Sequence, residues 1–60
     1  MKVRELLRLL YDDGWVVKNQ KGSHQQLIHP EKPGKVTVPV HGGDVPLGTL
    51  NSILKQAGLK

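Results

Sequence analysis

The chain contains no cysteine and no phenylalanine, and its aromatic content is one tyrosine, Tyr11, and one tryptophan, Trp15. Without cysteine there is neither a disulfide to staple a small fold nor a thiolate for a zinc site, which points to a reducing compartment and leaves stability to packing. With so few aromatics, stacking of bases on aromatic platforms is not the main way this chain would hold a nucleic acid. No run of about 20 apolar residues occurs, so no segment reads as a membrane-spanning helix. The opening MKVRELLRLL is interrupted by Arg4, Glu5 and Arg8 and does not read as a signal peptide. Acidic residues are scarce as well: five Asp and Glu stand against nine Lys and Arg, a formal charge of +4. That imbalance favours an anionic partner, nucleic acid first, because Lys and Arg contacts to phosphate supply most sequence-independent affinity.

What is present reads as one domain over residues 1–60, with no repeat, linker or low-complexity stretch. A chain of this size buries only about 60% of the surface its unfolded form exposes, so the core must be small. Val3, Leu6, Leu7, Leu9 and Leu10 recur at helical spacing with Arg4, Glu5 and Arg8 on the other side, which predicts an amphipathic helix closed by Gly14. The run WVVKNQ from Trp15, a Lys-Gly-Ser turn and the run HQQLIH from His24 predict a hairpin. After PEKPG, the alternation of Val36, Val38 and Val40 with Lys35, Thr37 and Pro39 predicts a third strand with one buried face. Pro39 has no N–H for a ladder bond, so it belongs at that strand's end or on an open edge. Pro46 suits a first helical position, Thr49 is an alternative N-cap, and Leu50, Ile53, Leu54 and Ala57 form a second apolar stripe ended by Gly58. Two helices and a three-stranded antiparallel meander, each with one apolar face, bury those faces by stacking as two layers. The fold class is therefore α+β in the order α-β-β-β-α, with both helices packed on one face of the sheet.

The segments DGW at Asp13 to Trp15, KGSH at Lys21 to His24, HP at His29 and Pro30, KPGKVTVP at Lys32 to Pro39, and PLGTLNSILKQAGL at Pro46 to Leu59 occur in one order along nearly the whole chain. Together they resemble the HicA family of small bacterial and archaeal toxins from type II toxin-antitoxin systems. The resemblance implies a fold like that of double-stranded RNA-binding domains and activity as a ribosome-independent mRNA interferase in the cytoplasm. It implies mRNA as substrate and a HicB-type antitoxin as partner, covering the active face. It also assigns the catalytic role to the histidine of the glycine-serine-histidine motif, here His24.

The residue types agree with that role. Histidine has an ordinary pKa of about 6.5, which lets it take and give a proton near neutrality. In RNA, removal of the 2′-hydroxyl proton lets that oxygen attack the adjacent phosphorus. Gly22 lets a phosphate approach the backbone, Ser23 adds a small hydrogen-bonding group, and Lys21 brings a cation that would stabilise charge growing on the phosphoryl oxygens. Backbone contacts to RNA are expected from Lys18, Lys21, Lys32, Lys35 and Lys55. Trp15, directly after a helix, is expected in the core rather than under a base. Three histidines raise the question of a metal, but His24 and His29 are five apart and would point to opposite faces of a regular strand. His41 adds no cysteine or acid cluster, so no metal site and no cofactor are expected. A non-catalytic RNA-binding module of the same fold is the alternative, with His24 incidental. A protein-interaction domain matched to an acidic partner is a third reading.

Overall fold

A computed structural model describes residues 1–40 and 42–60; His41 lies outside the described residues. The elements are α1 (Val3–Asp13), β1 (Val16–Lys21), β2 (His24–Ile28), β3 (Val36–Pro39) and α2 (Leu47–Gln56). The strands form one antiparallel sheet in the order β1-β2-β3.

The first helix buries Val3, Leu6 and Leu10, the stripe that its apolar spacing predicts. Leu9, counted in that stripe from spacing, turns outward and is 40% exposed. The start of α1 is held from two sides. The Lys2 N–H donates to the Glu5 carboxylate at 3.3 Å, and the Val3 N–H donates to the Gly43 carbonyl at 3.1 Å. The Val45 N–H completes the second link by donating to the Met1 carbonyl at 2.9 Å, and Val45 is itself part of the core. Within the run HGGDVP, the described residues from Gly42 to Pro46 are loop, as its composition predicts, but its valine is anchored rather than loose.

Both helices end in the same way. Gly14 has a φ of +108°, a region that costs a glycine little, and this bend lets the Trp15 N–H reach the Leu10 carbonyl at 3.0 Å. Gly58, with a φ of +73°, does the same for the Leu59 N–H and the Leu54 carbonyl at 2.8 Å. In each case the residue after the glycine is apolar and packs back toward the core, and Trp15 is 1% exposed. The strand expected from Trp15 therefore starts one residue later, because Trp15 belongs to the helix closure. At the other end of α2 the expected pattern shifts by one residue. Pro46 is the capping residue rather than the first helical one, and Thr49 does not cap.

The sheet separates two faces. Leu27, Val36 and Val38 point to the inner face and are fully buried with Leu6, Leu10, Trp15 and Ala57, while Val3, Val45, Leu50 and Ile53 complete the core. Truncation of a leucine such as Leu27 to alanine costs about 2–5 kcal/mol in cores of this kind. The outer face carries Val16 opposite Ile28, Asn19 opposite Gln26 opposite Thr37, and Lys21 opposite His24 opposite Pro39. Pro39 ends β3, the edge strand, as its missing N–H requires.

One feature of β1 breaks the simple alternation. Val17 pairs with Leu27, but Asn19 pairs with Gln26, so Lys18 is an extra residue in a β-bulge. In an unbulged strand Asn19 and Lys21 would follow Val17 onto the inner face. The inserted residue turns both to the outer face, where His24 lies.

Candidate active site

His24 is the first residue of β2 and is exposed on the face of the sheet away from the helices. A two-residue loop, Gly22 and Ser23, precedes it. Gly22 has a φ of +57° and no other residue has a positive φ there, the sign pattern of a type II′ turn, whose twist suits a hairpin. Among the described residues a side chain at Gly22 would meet nothing within 4 Å, which leaves the turn open to an approaching group on their side. Two glutamines on the inner face hold the turn's geometry. Gln20 Nε2 donates to the Gly22 carbonyl at 2.9 Å, and Gln25 Nε2 donates to Gln20 Oε1 at 3.1 Å. The Val40 N–H donates to the Ser23 carbonyl at 2.6 Å, which ties the chain leaving β3 to the same turn.

Lys21 and His24 are direct cross-strand neighbours, so their Cβ atoms are about 4.5–5.5 Å apart and both side chains rise from the same face. An imidazole beside an ammonium at an open turn can exchange a proton and attract a phosphate. Lys18 is exposed in the bulge of β1, and Lys35 is exposed immediately before β3. The other two expected cations lie elsewhere. Lys55 is exposed on α2, in the helical layer. Lys32 Nζ donates to Asp13 Oδ2 at 2.6 Å and to the Ala57 carbonyl at 3.0 Å, joining the ends of both helices to the β2-β3 connection. Two of its three N–H donors are thus committed within the fold.

His29 has the opposite surroundings. Its side chain is 7% exposed, and its ring meets Trp15 edge to face with centroids 5.2 Å apart. Nδ1 accepts the N–H groups of Glu31 at 2.9 Å and Lys32 at 3.1 Å, so the proton resides on Nε2, which donates to the Asp13 carbonyl at 2.7 Å. The Lys32 hydrogen bond holds the Asp13 carboxyl below its usual value, with the Lys32 charge acting in the same direction against partial burial. Spacing places His24 and His29 on opposite sides of the strand, and they lie so. It gives no sign that His29 would organise a buried knot. Nor does it reveal the bulge at Lys18, since lysine in a strand carries no bulge signature. Among the described residues no group of three or more His, Asp or Glu side chains converges as a metal site would require.

Two surface depressions, about 380 Å³ beside the start of α1 and about 430 Å³ beside α2, are lined among the described residues by neither His24 nor Lys21. The histidine is exposed on the outer face of the sheet, an arrangement suited to a polymer laid across it. No helix among the described residues is long and apolar enough to cross a membrane.

Comparison with known proteins agrees with this architecture. One chain of a toxin-antitoxin complex from Streptococcus pneumoniae superimposes with a TM-score of 0.81 at 32% sequence identity, covering 98% of each chain. No curated protein sequence matches. Residues 3–59 match the family model described as HicA toxin of bacterial toxin-antitoxin. The chain thus belongs to the HicA toxin family of bacterial toxin-antitoxin systems.

Proposed function

We propose that this toxin is an endoribonuclease that cleaves mRNA independently of the ribosome, with His24 as general acid/base. The observation that carries the reading is the placement of the motif histidine: exposed, on an open sheet face, directly across from Lys21. In the proposed step the His24 imidazole takes the proton of a ribose 2′-hydroxyl. The freed 2′-oxygen forms a bond to the adjacent phosphorus, and the bond from phosphorus to the 5′-oxygen breaks. That oxygen leaves with a proton from the imidazolium or from water, giving a 2′,3′-cyclic phosphate and a 5′-hydroxyl. Lys21 offsets the charge that builds on the phosphoryl oxygens, and the bare backbone at Gly22 with the small Ser23 lets the phosphate come close. Lys18 and Lys35 extend the basic surface along the neighbouring backbone; Lys32 and Lys55 stand apart from it and are left out of the proposed contacts.

The partner in this reading is a HicB-type antitoxin that covers the His24 face, and the site of action is the cytoplasm, where mRNA is found. One experiment tests the proposal. Purified wild-type protein and His24→Ala are incubated with a short single-stranded RNA across a range of salt, with and without antitoxin. We expect cleavage by the wild type alone, RNA binding that weakens steeply with salt, and arrest of cleavage in the antitoxin complex. A His24→Ala protein that cuts at the wild-type rate would disprove the assignment, and a wild-type protein that binds RNA without cutting it would favour a non-catalytic RNA-binding module.

A further inference from the structure

Four amide side chains lie along the β1-β2 hairpin, and the pleat sorts them into two pairs. Gln20 and Gln25 oppose each other on the inner face and are committed to the turn and to one another. Asn19 and Gln26 oppose each other on the outer face, one rung from Lys21 and His24. Neither Asn19 nor Gln26 has a side-chain hydrogen-bond partner among the described residues, although Gln26 is only half-buried and Asn19 is exposed. The position of Asn19 is due to the bulge, since without Lys18 as an extra residue its amide would face the helices. Bulges beside reactive sites commonly re-aim a side chain in this way.

Resting on the ribonuclease reading above, we propose that Asn19 and Gln26 are a base-reading pair that recognises the nucleobase next to the cleaved phosphate in single-stranded RNA. A primary amide presents a donor beside an acceptor. Adenine answers with its N6 amine and the neighbouring ring nitrogen, the pairing that Asn and Gln make most readily with a base. His24 and Gln26 are two residues apart on one strand, so their side chains rise about 7 Å from each other on one face. An unpaired base splayed from the phosphate at His24 lies over the amide row, with its edge rather than its face available for recognition. Thr37, exposed on the far side of Gln26, continues the row. The shortage of aromatics fits this mode: among the described residues the face has amides to read edges and neither the tyrosine nor the tryptophan of the chain.

The test uses four short single-stranded RNAs identical except at the nucleotide after the cleaved phosphate. Cleavage rates are measured for the wild type and for Asn19→Ala/Gln26→Ala. Affinities for the same four RNAs are measured for His24→Ala with and without the double substitution, and thermal melts check the fold. We expect the wild type to prefer adenine by about 5- to 100-fold, the range one bidentate amide-base contact supplies, and the double variant to lose that ratio in both rate and affinity. Gln26→Glu removes the amide donor and should turn the preference toward cytosine, whose N4 amine donates; a merely structural role would not move the profile. A preference that survives the double substitution overturns the inference, as does a wild type with equal rates and equal affinities for all four RNAs. The two readings fail separately. Base-selective binding without cleavage sinks the ribonuclease reading and leaves the base-reading pair standing, whereas cleavage indifferent to Asn19 and Gln26 sinks the pair alone.

Discussion

The two ends of β2 each carry a histidine, and the contrast between them separates what folds this protein from what it is proposed to do. At the C-terminal end, just past Ile28, His29 is enclosed: three hydrogen bonds, a tryptophan edge and the Asp13–Lys32 ion pair surround it. At the N-terminal end His24 is exposed beside an open glycine turn and a lysine. Burial and saturated hydrogen bonding fix the ring of His29 and leave it nothing to give a substrate. Exposure leaves the ring of His24 reachable by one. Residue type is identical, and the difference in environment is what the two proposed roles rest on.

Substitution by alanine at each end should break different properties. For His24→Ala the expected loss is in RNA cleavage, about 10²- to 10⁴-fold as for removal of one general acid/base, with the melting temperature unchanged. For His29→Ala the expected loss is in stability. The Glu31 and Lys32 N–H groups and the Asp13 carbonyl lose their partner, and a hole opens beside Trp15. We expect a cost of about 2–4 kcal/mol, a large share of the roughly 3–9 kcal/mol that a domain of this length has in total. Denaturant titration of the two variants measures the contrast directly. If His29→Ala is as stable as the wild type, or His24→Ala is strongly destabilised, the division of labour is wrong.

How much of this division was legible beforehand depends on the range of the interaction involved. Helical and strand periodicity carries the order of elements, because Leu6 and Leu10, or Val36 and Val38, signal their faces through neighbours three, four or two positions away. Gly14 and Gly58 announce the helix closures for the same local reason. The turn at the open end was legible through a local motif, since Lys-Gly-Ser before a polar-apolar run marks a hairpin, and the proposed site rests on that turn. The closed end was not, since His29, Asp13, Lys32 and Ala57 are brought together from 16 to 25 residues apart. No composition rule predicts that Lys32 ends in an ion pair rather than on the open surface with Lys35. The bulge at Lys18 was invisible for a different reason. It is a choice of register between two strands, set when Val17 and Asn19 both find partners on β2, and period-two alternation read along one strand assumes no such choice.

The smallest expected effect lies at the closed end and concerns acid. The Lys32 ammonium 2.6 Å from Asp13 Oδ2 lowers the Asp13 carboxyl below its usual 3.8 in the folded chain. The unfolded chain therefore binds that proton at a higher pH than the folded one, so stability falls as the solution is acidified past the ordinary carboxylate range. The Asp13 contribution is fully present well above 3.8 and is lost as the pH falls through the lower folded value. Asp13→Asn should be less stable than the wild type at neutral pH, because the ion pair to Lys32 is gone while the Asp13 carbonyl still accepts from His29. On acidification the two proteins should converge, since the wild type loses by protonation what the variant already lacks. Melting temperatures from about pH 7 down to about pH 2 measure the gap. A gap that stays constant across that range would mean that the carboxylate charge is not what Asp13 contributes, and that the knot around His29 rests on its backbone hydrogen bonds and its contact with Trp15 alone.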